Sequence, residues 1–280
     1  HVERSAYNQE FAAITGLYLL YEITGEARYQ HSCIKKLHAA LEAQSIDGWF
    51  PEQGGADIGY SSVALDMLAE YYWHSKDESV REPLNRLSDF LQHFVHPDKT
   101  IGGEYGSRNT TYLMPNGFAV MELLGQSSAA AVNHAIFEHV EPDTHFMNSV
   151  DERYLAHYVL HSFLRALDKM RTYTPSKLSP LPCTVEHFTV FQDCGLITTC
   201  TKHYFAVSAP SKGGIIKIFQ NGQEVYGDFG YRHLIKPGTI SATNWLDPDY
   251  KITYFENGFE VSGAFNIVKQ KLQNPIYHLG

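Results

Sequence analysis

The run Asp47-Gly48-Trp49-Phe50-Pro51-Glu52-Gln53-Gly54-Gly55-Ala56-Asp57-Ile58-Gly59-Tyr60 sets four glycines and a proline ahead of an apolar stretch. That composition predicts a tight, backbone-exposing loop that turns helical near Gly59. Beyond it Tyr60, Val63/Ala64, Met67/Leu68 and Tyr71 recur at three- and four-residue steps, so they share one face of a helix. Tyr60 heads that stripe, where the inward face meets the glycine-rich loop. A phenol there either sits at the mouth of a cavity or caps an aromatic core, and the sequence leaves both readings open.

Residues 5 to about 173 read as successive helices. Phe11, Ile14, Leu17/Tyr18 and Tyr21 form one stripe, ended by Thr24-Gly25. A second helix, about 26 to 44, carries Tyr29, Cys33, Leu37 and Leu41. A fourth, about 78 to 95, follows Asp77 or Ser79 as cap and stops at His96-Pro97. After a second glycine-rich loop, Gly102-Gly103-Glu104-Tyr105-Gly106-Ser107-Arg108-Asn109, helices are expected near 116 to 125, 128 to 139 and 150 to 170. Helix pairs joined by alternating short turns and long loops, with a loose period near forty residues, predict a hairpin array, solenoid or closed toroid.

Residues 174 to 182 hold three prolines and mark the expected boundary between a helical domain, 1 to 173, and a second domain, 183 to 280. Past it the period falls to two. Short β-branched and aromatic runs (188–191, 196–200, 204–207, 215–219, 224–226, 252–255, 259–262) alternate with turn signals such as Asn221-Gly222 and Asn257-Gly258. Strands without intervening helices predict an antiparallel β-sandwich, truncated at Gly280. The chain starts without Met, within a helix approach, so a fragment is expected whose true N-terminus and any targeting signal lie elsewhere.

A length of 280 residues allows two domains, and a net charge of −9 does not favour generic attraction to nucleic acid or anionic membranes. No apolar run approaches a membrane span. The 15 His, 18 Tyr and 16 Phe supply rings that stack on sugar faces and donate hydrogen bonds. Cys33, Cys183, Cys194 and Cys200 form no CxxC pair; buried free thiols are expected, with a disulfide or metal site among the last three as the alternative. No HExxH occurs and His157/His161 lack a third ligand, so no metal is signalled. No GxSxG elbow, P-loop or GxGxxG is present.

Four groups could carry chemistry. Asn8, three residues before Phe11, falls on the buried stripe of the first helix, where its carboxamide needs a partner or a ligand, unless it is the N-cap. Tyr60 is the second. Glu104, Tyr105, Arg108 and Asn109 share the second glycine-rich loop, where an arginine either grips a carboxylate bidentately or makes a structural salt bridge. On the β side, His203, Lys212 and His233 are functional or merely satisfied structural residues. Glu52 with Asp57 or Glu104 would permit glycoside hydrolysis, which requires two carboxylates facing each other across about 5 to 10 Å.

Asn8-Gln9 leading into Ala12-Ala13-Ile14-Thr15-Gly16-Leu17 resembles the Asn-His segment of the heparinase II/III-like polysaccharide lyases. Asp47 to Tyr60 followed by Ala64-Leu65-Asp66-Met67-Leu68 is similar to the segment in which their catalytic tyrosine precedes an apolar helix. Gly195-Leu196, Tyr204-Phe205, Gly222 and Tyr226-Gly227-Asp228-Phe229-Gly230-Tyr231 resemble their β-sandwich segment. The resemblance implies an α/α toroid followed by a β-sandwich, acting on an anionic, uronic-acid-containing polysaccharide by β-elimination. It makes Asn8 the group that neutralises the uronate carboxylate, with Arg108 or Asn109, and Tyr60 the acid, the base or both. Gln9, Glu52, Glu104, Tyr105, His203 and His233 are the further candidate substrate contacts, and no cofactor is expected. Such an activity would place the protein in the periplasm or outside the cell. A phenol has an ordinary pKa of about 10, so Tyr60 as base needs a nearby cation or donors, for which Arg108 is the candidate. Two positions depart from the family: Gln9 replaces its histidine, and Ser208-Ala209-Pro210-Ser211-Lys212-Gly213-Gly214 replaces its His-x-His-x-Asp segment. A non-catalytic glycan-binding protein and a toroid glycoside hydrolase are the alternative readings.

Overall fold

The computed structural model describes residues 5–138, 155–173, 178–237, 239–256 and 258–269. Among them are seven α-helices, all before residue 171, and ten strands, all after residue 186, so the chain is a mixed α+β protein. Parts of the expected linker (174–177) and of two expected helices (139, 150–154), and Asn257 of one turn signal, lie outside the described residues.

α1 (Tyr7–Thr24) and α2 (Ala27–Leu41) form a hairpin whose turn is closed by Gly25 in the left-handed region, its N–H donating to Tyr21 O. α3 (Ile58–Ser75) is the helix opened by the first glycine-rich loop, and Asp57 caps it by accepting from Tyr60 N at 3.0 Å. Most of α3 is buried because α1 packs on one side and α5 (Pro115–Leu123) on the other, with α4 (Arg81–Leu91) alongside. A single apolar stripe on α3 therefore underestimates what the fold asks of it. α6 (Ser127–Glu138) and α7 (Leu160–Met170) pack on α5, and α7 is preceded by one π-helical turn, Leu155–Val159.

β1 (His187–Phe191), β2 (Leu196–Cys200), β3 (Phe205–Ala209), β4 (Ile215–Gln220) and β5 (Gln223–Asp228) form an antiparallel meander in chain order. β6 (Arg232–Lys236), β7 (Thr239–Ala242) and β10 (Asn266–Lys269) make a second sheet, β7 central, while β8 (Lys251–Phe255) and β9 (Gly258–Ser262) pair as a hairpin. β6, β7 and β10 escape the sequence pattern because β6 and β10 do not alternate and β7, which does, is only four residues long. All five residues of β3 are buried, as a strand covered on both faces must be. Phe191, Phe205 and Phe219 of the meander join Phe90 and Phe94 in one core with the helices: Phe90 meets Phe191 at 5.1 Å between centroids and His96 meets Phe219 at 4.5 Å. The four cysteines are buried and free.

Candidate functional site

The two glycine-rich loops meet at Asp57. Its buried carboxylate accepts Tyr60 N, Arg108 N at 2.8 Å and the hydroxyl of Thr110, so one side chain caps α3 and folds the 102–110 loop against it. The glycines are needed for close approach. A Cβ on Gly106 would stand 2.7 Å from Asp57 Oδ2, and one on Gly59 would strike the Thr110 side chain. Further bonds tie the first loop to residues 5–7 and to the second loop. Tyr7 N donates to Pro51 O at 3.3 Å, Gln53 N to Ser5 O at 2.5 Å, and Ser107 Oγ to Glu52 O.

This knot puts the start of α1 beside Glu52. Ala6, not Asn8, occupies the N-cap position, and it makes no side-chain cap; Asn8 is the second residue inside α1, and its buried backbone N–H donates to Glu52 Oε1 at 2.7 Å. The capping role left open for Asn8 is therefore corrected: it lies inside the helix, and its side chain acts on the Tyr158 phenol. Tyr158 stands on the π-helical turn ahead of α7, a widened turn of the kind that recurs at functional sites. Burial drives its phenol far above the ordinary value against the Asn8 hydrogen bond, with further upward pushes from Tyr60, Glu52 and Asp66. Tyr60 is half-buried at the head of α3, edge-on to Tyr112 at 6.3 Å between centroids, and Tyr112 in turn meets Tyr158 at 6.5 Å.

Asn8, Glu52, Tyr60, Tyr112 and Tyr158 thus form one cluster from four chain segments. Glu52 is only 1% exposed. Burial pushes its carboxyl up to about 8; the Asn8 N–H pulls it down, the charge of Asp57 adds to the rise and that of Arg108 opposes it. Near neutral pH Glu52 is largely protonated, a donor as well as an acceptor. Arg108 is exposed and has no carboxylate within 4 Å among the described residues, so the structural salt bridge is not formed.

The remaining expected contacts are dispersed. Gln9, about 100° further round α1 than Asn8, is exposed. Tyr105 is a core residue, 1% exposed, its hydroxyl 3.3 Å from His96 Nε2, which removes its ring from any ligand-facing role at the loop surface. Glu104 pairs with Lys217 at 3.3 Å. Asn109, in the left-handed region at φ 57°, accepts from Lys212 Nζ at 2.6 Å through Oδ1. His203 lies exposed in the turn between β2 and β3 and His233 exposed on β6, and the side chain of neither bonds a described residue.

No group of three or more His, Cys, Asp or Glu side chains among the described residues could hold a metal, and the side chain of His157 lies outside them. No described helix is long and apolar enough to cross a membrane. Tyr158 and Tyr112 were missed by sequence reasoning, since nothing local to residue 158 marks a partner for residue 8; a tyrosine three residues before His161 on a helix reads simply as packing. The chain matches no protein-family model, no curated protein and no solved structure.

Proposed function

We propose that the protein acts on a uronic-acid-containing polysaccharide as a β-eliminating lyase of the heparinase II/III-like kind, its helices forming part of an α/α toroid and its strands a β-sandwich. The observation that carries this reading is the cluster in which Asn8, its N–H on Glu52 Oε1 at 2.7 Å, is gathered with Tyr60 and Tyr158, whose rings flank Tyr112 at 6.3 and 6.5 Å between centroids. A carboxamide with phenols in the same cluster supplies the groups that elimination needs. The carboxamide hydrogen-bonds the uronate carboxylate as charge builds on it, which makes the C5–H acidic enough to remove. One phenol, as phenolate, takes that proton; the C5 electron pair forms the C4–C5 double bond as the C4–O bond breaks; a phenol returns a proton to the departing glycosidic oxygen. Arg108 and the protonated Glu52 supply the donor side of the field.

Hydrolysis is less well supported. Asp57, the obvious second carboxylate beside Glu52, is fully buried and spent on capping α3 and holding the 108–110 loop. A glycan-binding protein without catalysis is favoured by one observation, the exposure of His203 and His233 with no side-chain bond to the cluster. One assay separates these readings: absorbance of the unsaturated uronate during incubation with a panel of uronic-acid polysaccharides, beside a Tyr60→Phe variant. The expected outcome is a rise for the wild type that falls at least about a hundredfold in the variant. Binding without any rise across the panel would replace the lyase by the glycan-binding reading.

A further inference from the structure

A cavity of about 380 Å³ lies where Ser107 and Asn109 of the second glycine-rich loop meet Lys212 and the 244–248 segment of the β side. Lys212 stands in its wall, in the segment where the lyase resemblance calls for histidines. The residue is 6% exposed, and its Nζ donates to Gly106 O and Asn109 Oδ1, both at 2.6 Å. Both acceptors are neutral, and no carboxylate among the described residues lies within 4 Å of the ammonium. The acids that act on it from farther away are committed elsewhere, Asp57 to Tyr60, Arg108 and Thr110, and Glu104 to Lys217. Burial accordingly pulls the Lys212 pKa down. A buried ammonium without a counter-charge is costly, and an incoming carboxylate relieves that cost while using the third N–H.

The rest of the wall fits a sugar. Trp245, 52% exposed, offers a ring. The carboxamide N–H groups of Gln53, Asn109 and Asn244 bond no described residue, and all three side chains line the cavity. Gln53 and Asn109 are held in the left-handed region, at φ 54° and 57°, a conformation that non-glycine residues rarely adopt and that concentrates at ligand-binding sites. A second cavity of about 310 Å³ shares Gly54, Leu246 and Pro248 with the first, so the groove continues. Asp193 and Asp247 line this extension, which disfavours a second carboxylate there.

We propose that this groove is a saccharide subsite that takes one acidic sugar, its carboxylate on Lys212 and its ring on Trp245, followed by a neutral sugar toward Asp193 and Asp247. The proposal rests on the reading of an acidic polysaccharide as ligand and narrows it to a chain alternating acidic and neutral units; it does not depend on elimination. The test is calorimetric titration of the full chain carrying Tyr60→Phe, so that turnover cannot consume the ligand. The probes are a tetrasaccharide alternating glucuronate with a neutral hexosamine, its carboxyl-reduced counterpart, and acetate. The acidic form is expected to bind about tenfold or more tightly than the reduced form. Adding Lys212→Met should bring the two within about twofold, and Trp245→Ala should weaken both by about tenfold. Should Lys212→Met not fold, Asn109→Asp keeps the lysine but gives it an internal counter-charge, and the preference for the acidic form must drop in the same way. Retention of that preference in either variant, no binding of the tetrasaccharide at millimolar concentration, or acetate binding as tightly as the tetrasaccharide overturns the proposal. Charge-selective binding alongside a failed elimination assay leaves the subsite standing and removes the lyase.

Discussion

At the scale of single residues, Glu52 holds the least comfortable position. It is buried beside Asp57, with one N–H bond to Asn8 and a distant arginine, and its pKa stands near 8 against an ordinary 4.5. A carboxyl with a raised folded pKa binds more protons folded than unfolded, so its contribution to stability is fullest below the unfolded pKa and is lost as pH rises through the folded one. Glu52→Gln keeps an oxygen for Asn8 N and cannot ionise. Denaturant unfolding of the wild type should therefore lose on the order of 3 kcal/mol relative to Glu52→Gln between about pH 5 and pH 8. Parallel curves for the two proteins over that range would mean that Glu52 ionises without penalty, and with that its place as a neutral donor in the cluster would go.

Among elements, α3, α5 and α7 are joined by a buried charged lattice that no catalytic argument uses. Asp66 and Glu70 stand one turn apart on α3, Arg165 and Lys169 one turn apart on α7, and Asn116 of α5 lies between. Arg165 reaches Asp66 at 2.7 Å and Glu70 at 3.3 Å, and Lys169 reaches Glu70 at 2.8 Å. Asn116 Nδ2 donates to Asp66 at 2.6 Å and Glu70 at 3.0 Å, while its Oδ1 accepts from Lys169 at 3.0 Å. Burial raises Glu70, but Lys169 and Arg165 outweigh it and hold the carboxyl below its ordinary value. Asn116→Ala leaves two carboxylates and an ammonium each short of a partner, so it should cost about 2–4 kcal/mol in thermal or denaturant unfolding. Breaking the exposed Arg28–Glu26 pair by Arg28→Ala should cost less than about 1 kcal/mol. The contrast tests burial rather than charge count. It also marks what a linear reading can recover. The i,i+4 acids on one helix and the i,i+4 bases on another are visible in the sequence, as were the stripes of α1 to α3 and most strands of the meander, because each is a local period. That Asp66 faces Arg165, or Asn8 faces Tyr158, is set by helices docking across about a hundred residues or more, and no local period encodes it.

For the whole molecule, the decisive seam lies where the end of α4 presses on the meander. His93 Nδ1 and His187 Nε2 share the hydroxyl of Thr198, at 3.1 and 3.0 Å. His96 is sealed between Thr100, 2.9 Å from Nδ1, and Tyr105, with its ring on Phe219. Burial brings His93 down to about 4, helped by His187, and His96 to about 3, helped by Lys217. A histidine with a lowered folded pKa contributes its full stability above the unfolded value of about 6.5 and loses it as pH falls through the window to the folded pKa. Each should thus cost on the order of 2 kcal/mol by about pH 5, directed at the seam between helices and sheet. This acid limb has the opposite slope to the Glu52 effect, so the two separate in one pH series. His93→Gln retains a hydrogen-bonding group toward Thr198 but cannot take up a proton there; its unfolding free energy should fall less steeply than wild type from about pH 6.5 to pH 4. An unchanged slope would mean that His93 is protonated in the folded protein, and that the seam is held by packing of Phe90, Phe94 and Phe191 without regard to the charge on its imidazoles.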